Sequence, residues 1–125
     1  MTEIKSNPDE FHKLAKNHSD GPVVMLNLLK FKGEEGRASY ARYTKEAGAF
    51  VEAVGGKVLY LGRAAELLNG EERWDVVMLV QYPSREAFLK MANNPEYLKA
   101  HHFREEGVER AVLYATDPIK FRDLG

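Results

Sequence analysis

The apolar positions of this chain follow two rhythms, a period of two and a period near 3.6, and their order along the chain predicts the architecture. VVMLNLLKF, Val23 to Phe31, reads as a strand with Val23, Met25, Leu29 and Phe31 on one face and Val24, Leu26 and Leu28 on the other. KGEEGR after it reads as a polar loop. From Arg37 to Val54 the residues Tyr40, Tyr43, Ala47, Phe50 and Val54 recur at helical steps, with Arg42, Lys45, Glu46 and Glu52 between them, and Gly55-Gly56 ends this amphipathic helix. Lys57 to Leu68 and Arg73 to Tyr82 predict two strands, with the hairpin signal Asn69-Gly70 between them. Ser84 is expected to cap a second helix that turns Phe88 and Met91 inward. Asn94-Pro95 restarts it as far as Gly107. Glu109 to Pro118 is the last strand, and IKFRDLG is a tail. Ahead of the first strand, SNPDEFHKLAKNH predicts a short helix capped by Asn7, with Phe11, Leu14 and Ala15 as its apolar stripe. SDGPV (Ser19 to Val23) then breaks the chain.

After the short first helix the order is βαββαβ. That is the pattern of an α+β ferredoxin-like sandwich, four antiparallel strands with two helices on one face, in one domain spanning residues 1–125. Helices on one face leave the other to water, which calls for polar residues there. The strands supply few of them: Val24, Leu26 and Leu28 lie opposite the other apolar set of the first strand, and in the third Val77 and Leu79, sharing their face with Asp75 and Gln81, oppose Trp74, Val76, Met78 and Val80. Another copy of the chain would cover that second face; the alternatives are an open sheet with some apolar exposure, or cover by the N-terminal helix and the tail. Two sheets packed in this way make a dimeric α/β barrel, so a homodimer through sheet faces is expected.

Length and composition suit an ordinary globular domain: 125 residues, 44% hydrophobic and 30% charged, with net charge −1. The near-neutral balance gives no electrostatic reason to expect nucleic acid or an anionic membrane as a partner. The absence of cysteine excludes disulfides, thiolate metal sites and cysteine nucleophiles, and fits a cytoplasmic protein. The N-terminal residues lack the apolar run of a signal peptide.

The candidate chemistry begins with Asn27, a side-chain amide in the middle of an apolar strand. A buried amide without partners costs about 1–3 kcal/mol, so either a backbone group or a ligand must satisfy it. As a ligand group it could hold a carbonyl or enolate oxygen. Arg63 lies mid-strand among Leu59, Leu61 and Ala65, and its permanent charge needs either a ligand carboxylate or a cross-hairpin pairing with Asp75. Tyr40 and Tyr43, one helical turn apart, suit either a pocket for a planar ligand or plain core packing, and Trp74 and Tyr60 read the same two ways. Tyr97, His101 and Arg104 share a helix face. A histidine there can act as a general base near neutral pH, or the group can be a solvated helix end. Adjacent His101 and His102 point about 100° apart and do not chelate, so neither a metal nor a cofactor is expected.

PVVMLNLLKFK, the double glycine before KVLYLG, WDVVMLVQYPSREAFLKM, NNPEY and ERAVLYATDP together resemble the family called domain of unknown function 1330, over about residues 22–118. That family lies within the dimeric α/β-barrel superfamily, so the resemblance implies the ferredoxin-like fold and the homodimer independently. It implies no particular reaction, since the superfamily includes cofactor-free monooxygenases, muconolactone-type isomerases, haem-degrading enzymes and stress-induced proteins. Its haem-degrading members carry an asparagine on the first strand, a tryptophan on the third and a histidine early in the second helix. Asn27 and Trp74 match in kind, but no histidine occurs between Ser84 and Asn94, which argues against haem. Two functions follow as expectations. One is a cofactor-independent enzyme, monooxygenase- or isomerase-like, acting on a small aromatic or carboxylic metabolite. Asn27, Arg63 and His101 would be its catalytic residues, and Tyr40, Tyr43, Trp74, Asp75, Tyr97 and Arg104 would line its site. The other is a non-catalytic homodimer that binds a metabolite or serves in a stress response.

Overall fold

Nine apolar-rich residues of the first strand set the frame, and everything else is placed by its pairing to them. The structure is a computed structural model, describing residues 5–18 and 21–125. Strand β1 (Val23–Phe31) lies inside a four-stranded antiparallel sheet of order β2-β3-β1-β4, with β2 at Lys57–Arg63, β3 at Val76–Tyr82 and β4 at Val108–Thr116. The helices are α1 (Pro8–Lys16), α2 (Gly33–Ala53), α3 (Arg85–Ala92) and α4 (Pro95–Gly107). This is the expected α+β ferredoxin-like order, with α1 as the extra N-terminal helix. The Ser19-Asp20 part of the predicted break lies outside the described residues.

Burial alternates along β1 as the sequence pattern requires. Val23, Met25, Asn27, Leu29 and Phe31 are buried, and the residues between them are only half-buried. Register carries the same division across the sheet. Asn27 pairs with Met78 on one side and Leu113 on the other, while Leu26 pairs with Leu79 and Tyr114. The Asn27 face receives the helices and holds the core of Val23, Met25, Val80, Tyr82, Phe88 and Met91. The Leu26 face carries no helix, and its edge residues Tyr60 and Tyr114 are 56% and 65% exposed.

Ser84 and Asn94 cap their helices as expected. Ser84 Oγ accepts from Ala87 N–H at 3.0 Å, and Asn94 Oδ1 accepts from Glu96 N–H at 2.9 Å. Replacing Ser84 with alanine is expected to cost about 1 kcal/mol, read as a lower urea midpoint at unchanged slope. Asn7 occupies the corresponding place before α1 but makes no side-chain cap bond, and α1 buries no residue fully.

Three boundaries depart from the sequence reading. KGEEGR is helical from its second residue rather than a loop: α2 begins at Gly33, whose φ of +61° makes the turn out of β1. Glu34 and Glu35 then favour the positive end of its dipole. The β2–β3 connection is not a tight Asn-Gly hairpin but a loop over residues 64–75. Gly70, at φ +108°, turns its tip. Trp74 and Asp75 therefore precede β3 rather than belonging to it.

Helix α2 packs chiefly on α4, and the crossing is made by two buried glycines. A Cβ placed on Gly36 would lie 2.5 Å from the Gly107 carbonyl oxygen, so the two backbones touch. Tyr40 is one turn beyond Gly36, and Arg104 is one turn before Gly107. The glycine crossing thereby brings a phenol and a guanidinium from different helices together above the sheet.

Candidate functional site

The helix layer does not fill the space over the sheet. A cavity of about 570 Å³ remains between the inner sheet face and all four helices. Its floor is Met25, Asn27, Met78, Val80 and Leu113, from three strands. Asn27 thus points neither into solid core nor to solvent but into this space, at 6% exposure. Its amide nitrogen donates to the Met25 carbonyl at 3.4 Å, a bond at the outer limit of useful length. Its side-chain oxygen accepts nothing among the described residues. The backbone answer to Asn27 is therefore present but weak, and most of the amide's bonding capacity is unused among the described residues.

Helices α2 and α4 supply the rest of the polar wall. Tyr43 Oη and Tyr97 Oη are 2.8 Å apart and bond each other. Their rings continue an aromatic chain that runs Phe31, Tyr40, Tyr43, Tyr97 and His101, with centroids 5.3–6.3 Å apart. Such tilted and edge-on contacts fix ring orientation as well as burying area. Burial raises the Tyr40, Tyr43 and Tyr97 pKa values above the ordinary phenol range, so all three are neutral hydroxyls at physiological pH. Tyr40 Oη is fully buried with no partner in hydrogen-bonding geometry.

His101 is the titratable group of the wall. Its Nδ1 lies 3.1 Å from Glu105 Oε1, one turn on. Partial burial lowers its pKa from 6.5 and the Arg104 charge adds to that, against the opposing bond and charge of Glu105. With Nδ1–H donating to Glu105, Nε2 carries the free lone pair of a neutral imidazole. Arg104 itself is 8% exposed and forms no ion pair among the described residues. Its charge acts on Tyr40, Tyr43, Tyr97 and His101 alike, which places it at the centre of the cluster.

The other sequence candidates lie elsewhere. Arg63 closes β2 at the edge of the sheet, exposed, and does not line the cavity. Its anticipated pairing with Asp75 does not form. Asp75 instead accepts from Phe31 N–H at 2.8 Å and sits 3.6 Å from Lys30 Nζ, so it pins the β2–β3 loop to the end of β1. Trp74 is half-buried under the Arg110 guanidinium, 4.7 Å from its ring centre, and is also outside the cavity lining. In the other direction, Phe11 of α1 and the rim residues Glu52 and Lys57 border the cavity and were not anticipated. Phe11 was legible as an apolar helix position, but nothing local says which element walls a cavity. Among the described residues no group of three or more metal-ligating side chains converges. No helix among them is long and apolar enough to cross a membrane.

The fold and the cavity define an α+β protein of the ferredoxin-like class with a pocket between sheet and helices. Residues 34–117 match the family described as Domain of unknown function (DUF1330), and the chain belongs to that family. RPA0582, a protein of unknown function from Rhodopseudomonas palustris, is 32% identical over 96% of this chain and 99% of that one, at a TM-score of 0.88. A dimeric protein of unknown function with a ferredoxin-like fold, from Bacteroides fragilis, shares 15% identity over 79% and 98% of the two chains, at 0.55. SnoaB, a cofactor-independent oxygenase from Streptomyces nogalater, shares 16% over 80% and 95%, at 0.54. The last two establish the common fold alone. No curated protein matches the chain.

Proposed function

We propose that this protein is a homodimeric, cofactor-independent enzyme that removes a proton from a small enolisable aromatic or carboxylic metabolite held in the cavity. The observation that carries this reading is the convergence of Asn27 from the sheet and a neutral His101 from α4 on one largely apolar space. In the first step a C–H bond breaks, the proton passes to His101 Nε2, and the electron pair moves into an enolate. The Asn27 amide N–H, weakly engaged at 3.4 Å, donates to the developing oxygen. Exclusion of water by the apolar floor strengthens that interaction. The enolate then either recovers the proton at another carbon, which is isomerisation, or is oxidised by dioxygen. Proton removal is common to both routes. The cofactor-independent oxygenase SnoaB supports this reading only through the fold it shares. The apolar outer sheet face and the dimeric Bacteroides fragilis relative support the homodimer.

The shared first step can be tested without knowing the product. In D2O, panels of enolisable oxo acids and aryl ketones are expected to exchange their acidic protons faster with protein than without, as followed by proton NMR. Replacing His101 with glutamine is expected to slow exchange about a hundredfold. Because burial lowers the His101 pKa, the base form predominates above the ordinary value of 6.5. Exchange should therefore rise with pH to a midpoint below 6.5 and stay flat through neutrality. Ligand binding without exchange on any panel member would make the protein a metabolite binder. Exchange unchanged in the glutamine variant would remove His101 from the mechanism.

A further inference from the structure

Two buried polar groups of the cavity, Arg104 and Tyr40, are left unused by proton transfer and, unlike Tyr82 and Tyr97, are not bonded to a neighbouring side chain in good geometry. We infer that they form a cradle for a single carboxylate, and that the ligand is a small monocarboxylic acid with an apolar or aromatic body. This rests on reading the cavity as a ligand site and adds the charge and shape of what enters it.

Arg104 is 8% exposed, lines the cavity and has no carboxylate partner among the described residues. A guanidinium cannot escape burial by losing its proton, so an enclosed one needs an anion. Arg85, equally buried, shows how the fold itself meets that need, with Asp117 Oδ1 at 2.8 Å from its Nη1. Nothing equivalent is built for Arg104. Tyr40 adds the second half of the argument: it is 5% exposed, and its hydroxyl is buried with no partner in bonding geometry. The Gly36–Gly107 crossing holds both groups beside each other, and the Arg104 charge acts directly on the phenol. A planar fork of N–H donors next to one O–H donor matches the two oxygens of a carboxylate.

The surroundings decide which anion. Arg104 is the one buried cation lining the cavity among the described residues, and Lys57 and Glu52 at the exposed rim offset each other. A phosphate dianion would be left undercompensated, while a monoanionic carboxylate is matched. Beyond the cradle the walls are Met25, Met78, Val80, Phe88 and Leu113, which favour an apolar body. The volume of about 570 Å³ suits a metabolite rather than a peptide or a nucleotide chain.

The test compares 3-phenylpropanoate with 3-phenylpropan-1-ol, which has the same body without the charge, by titration calorimetry at neutral pH. Wild-type protein is expected to bind the acid about tenfold or more tightly than the alcohol. Replacing Arg104 with methionine is expected to erase that preference while leaving alcohol binding in place. Replacing Tyr40 with phenylalanine should weaken the acid about threefold with little change in Tm, because the lost hydroxyl makes no well-formed bond within the protein and only lies near the Arg104 guanidinium. Equal binding of acid and alcohol by wild type, or no binding of either, overturns the proposal whatever the variants do. A preference retained in the methionine variant also overturns it. If that variant does not fold, the wild-type comparison and Tyr40→Phe decide alone. Proton exchange is a separate readout. A carboxylate preference without exchange keeps the cradle and refutes the enzyme, and exchange confined to neutral ketones does the reverse.

Discussion

Replacing Gly36 with valine is expected to remove about 3 kcal/mol of folding stability and to lower Tm by roughly 10 °C or more. Even the first carbon of the new side chain would lie 2.5 Å from the Gly107 carbonyl oxygen and 3.3 Å from its carbonyl carbon. Both atoms are backbone and cannot rotate away. That same oxygen accepts a hydrogen bond from Lys32 N–H at 2.9 Å, so moving it also strains the turn from β1 into α2. Gly107 is constrained reciprocally, because a Cβ there would strike the Gly36 carbonyl oxygen and crowd Tyr40 N. Gly48 provides the contrast. It lies on the same helix with open space where its Cβ would go, so Gly48→Ala is expected to stabilise by about 0.5–1 kcal/mol through helix propensity. Urea unfolding of the two variants separates the steric effect from a general intolerance of α2 to substitution. Comparable losses in both would refute the close-crossing account. Because the crossing also sets Tyr40 against Arg104, Gly36→Val should weaken carboxylate binding at temperatures where the protein remains folded.

The close crossing was not legible in KGEEGR, and the reason is instructive. A run of two glycines and four charges reads as a loop because local propensity is weak there. Tertiary contact decides otherwise, since only a glycine at position 36 allows α4 to approach, and that contact, with Gly107, is 71 residues away in sequence. The same limit explains Arg63. Its alternation with Leu59 and Leu61 is real, but β2 is an edge strand with a bulge after Val58, and local alternation does not reveal where a strand lies in the sheet order. Arg104, by contrast, was readable on the face shared with Tyr97 and His101, because helix period alone fixes that relation. Burial distinguishes the two arginines: Arg104 is enclosed beside the cavity and Arg63 is exposed at the sheet edge, so the proposed carboxylate contact is assigned to Arg104. Asn27 was conspicuous because an amide breaks a run of apolar residues. The cavity it faces is a property of the helix layer above, and no pattern within β1 encodes it.

Replacing Leu26 with lysine is expected to convert the proposed homodimer into a folded monomer. Leu26 sits at the middle of the helix-free face, between Leu79 and Tyr114 in register, with Leu28, Val77 and Val112 one pair along. These side chains are half-exposed in a single chain, so the lysine can reach water there and the fold is not threatened. In a face-to-face pair of sheets the same position is enclosed, and the symmetry of the pairing would introduce the charge twice. An unpaired charge buried at an interface costs about 3–5 kcal/mol, enough to move a dimer of micromolar affinity beyond millimolar. Sedimentation velocity gives the mass, and far-ultraviolet circular dichroism shows whether the monomer keeps its secondary structure. Wild-type protein sedimenting as a monomer at 100-fold dilutions spanning about micromolar concentration would rule out a stable dimer. A lysine variant that remains dimeric would place the interface elsewhere. The cavity lies on the opposite face of the sheet, so the monomeric variant should still prefer 3-phenylpropanoate to its alcohol. Loss of that preference on dissociation would mean that pairing through the outer face shapes the inner one, with β1, which carries Leu26 outward and Asn27 inward, as the element connecting them.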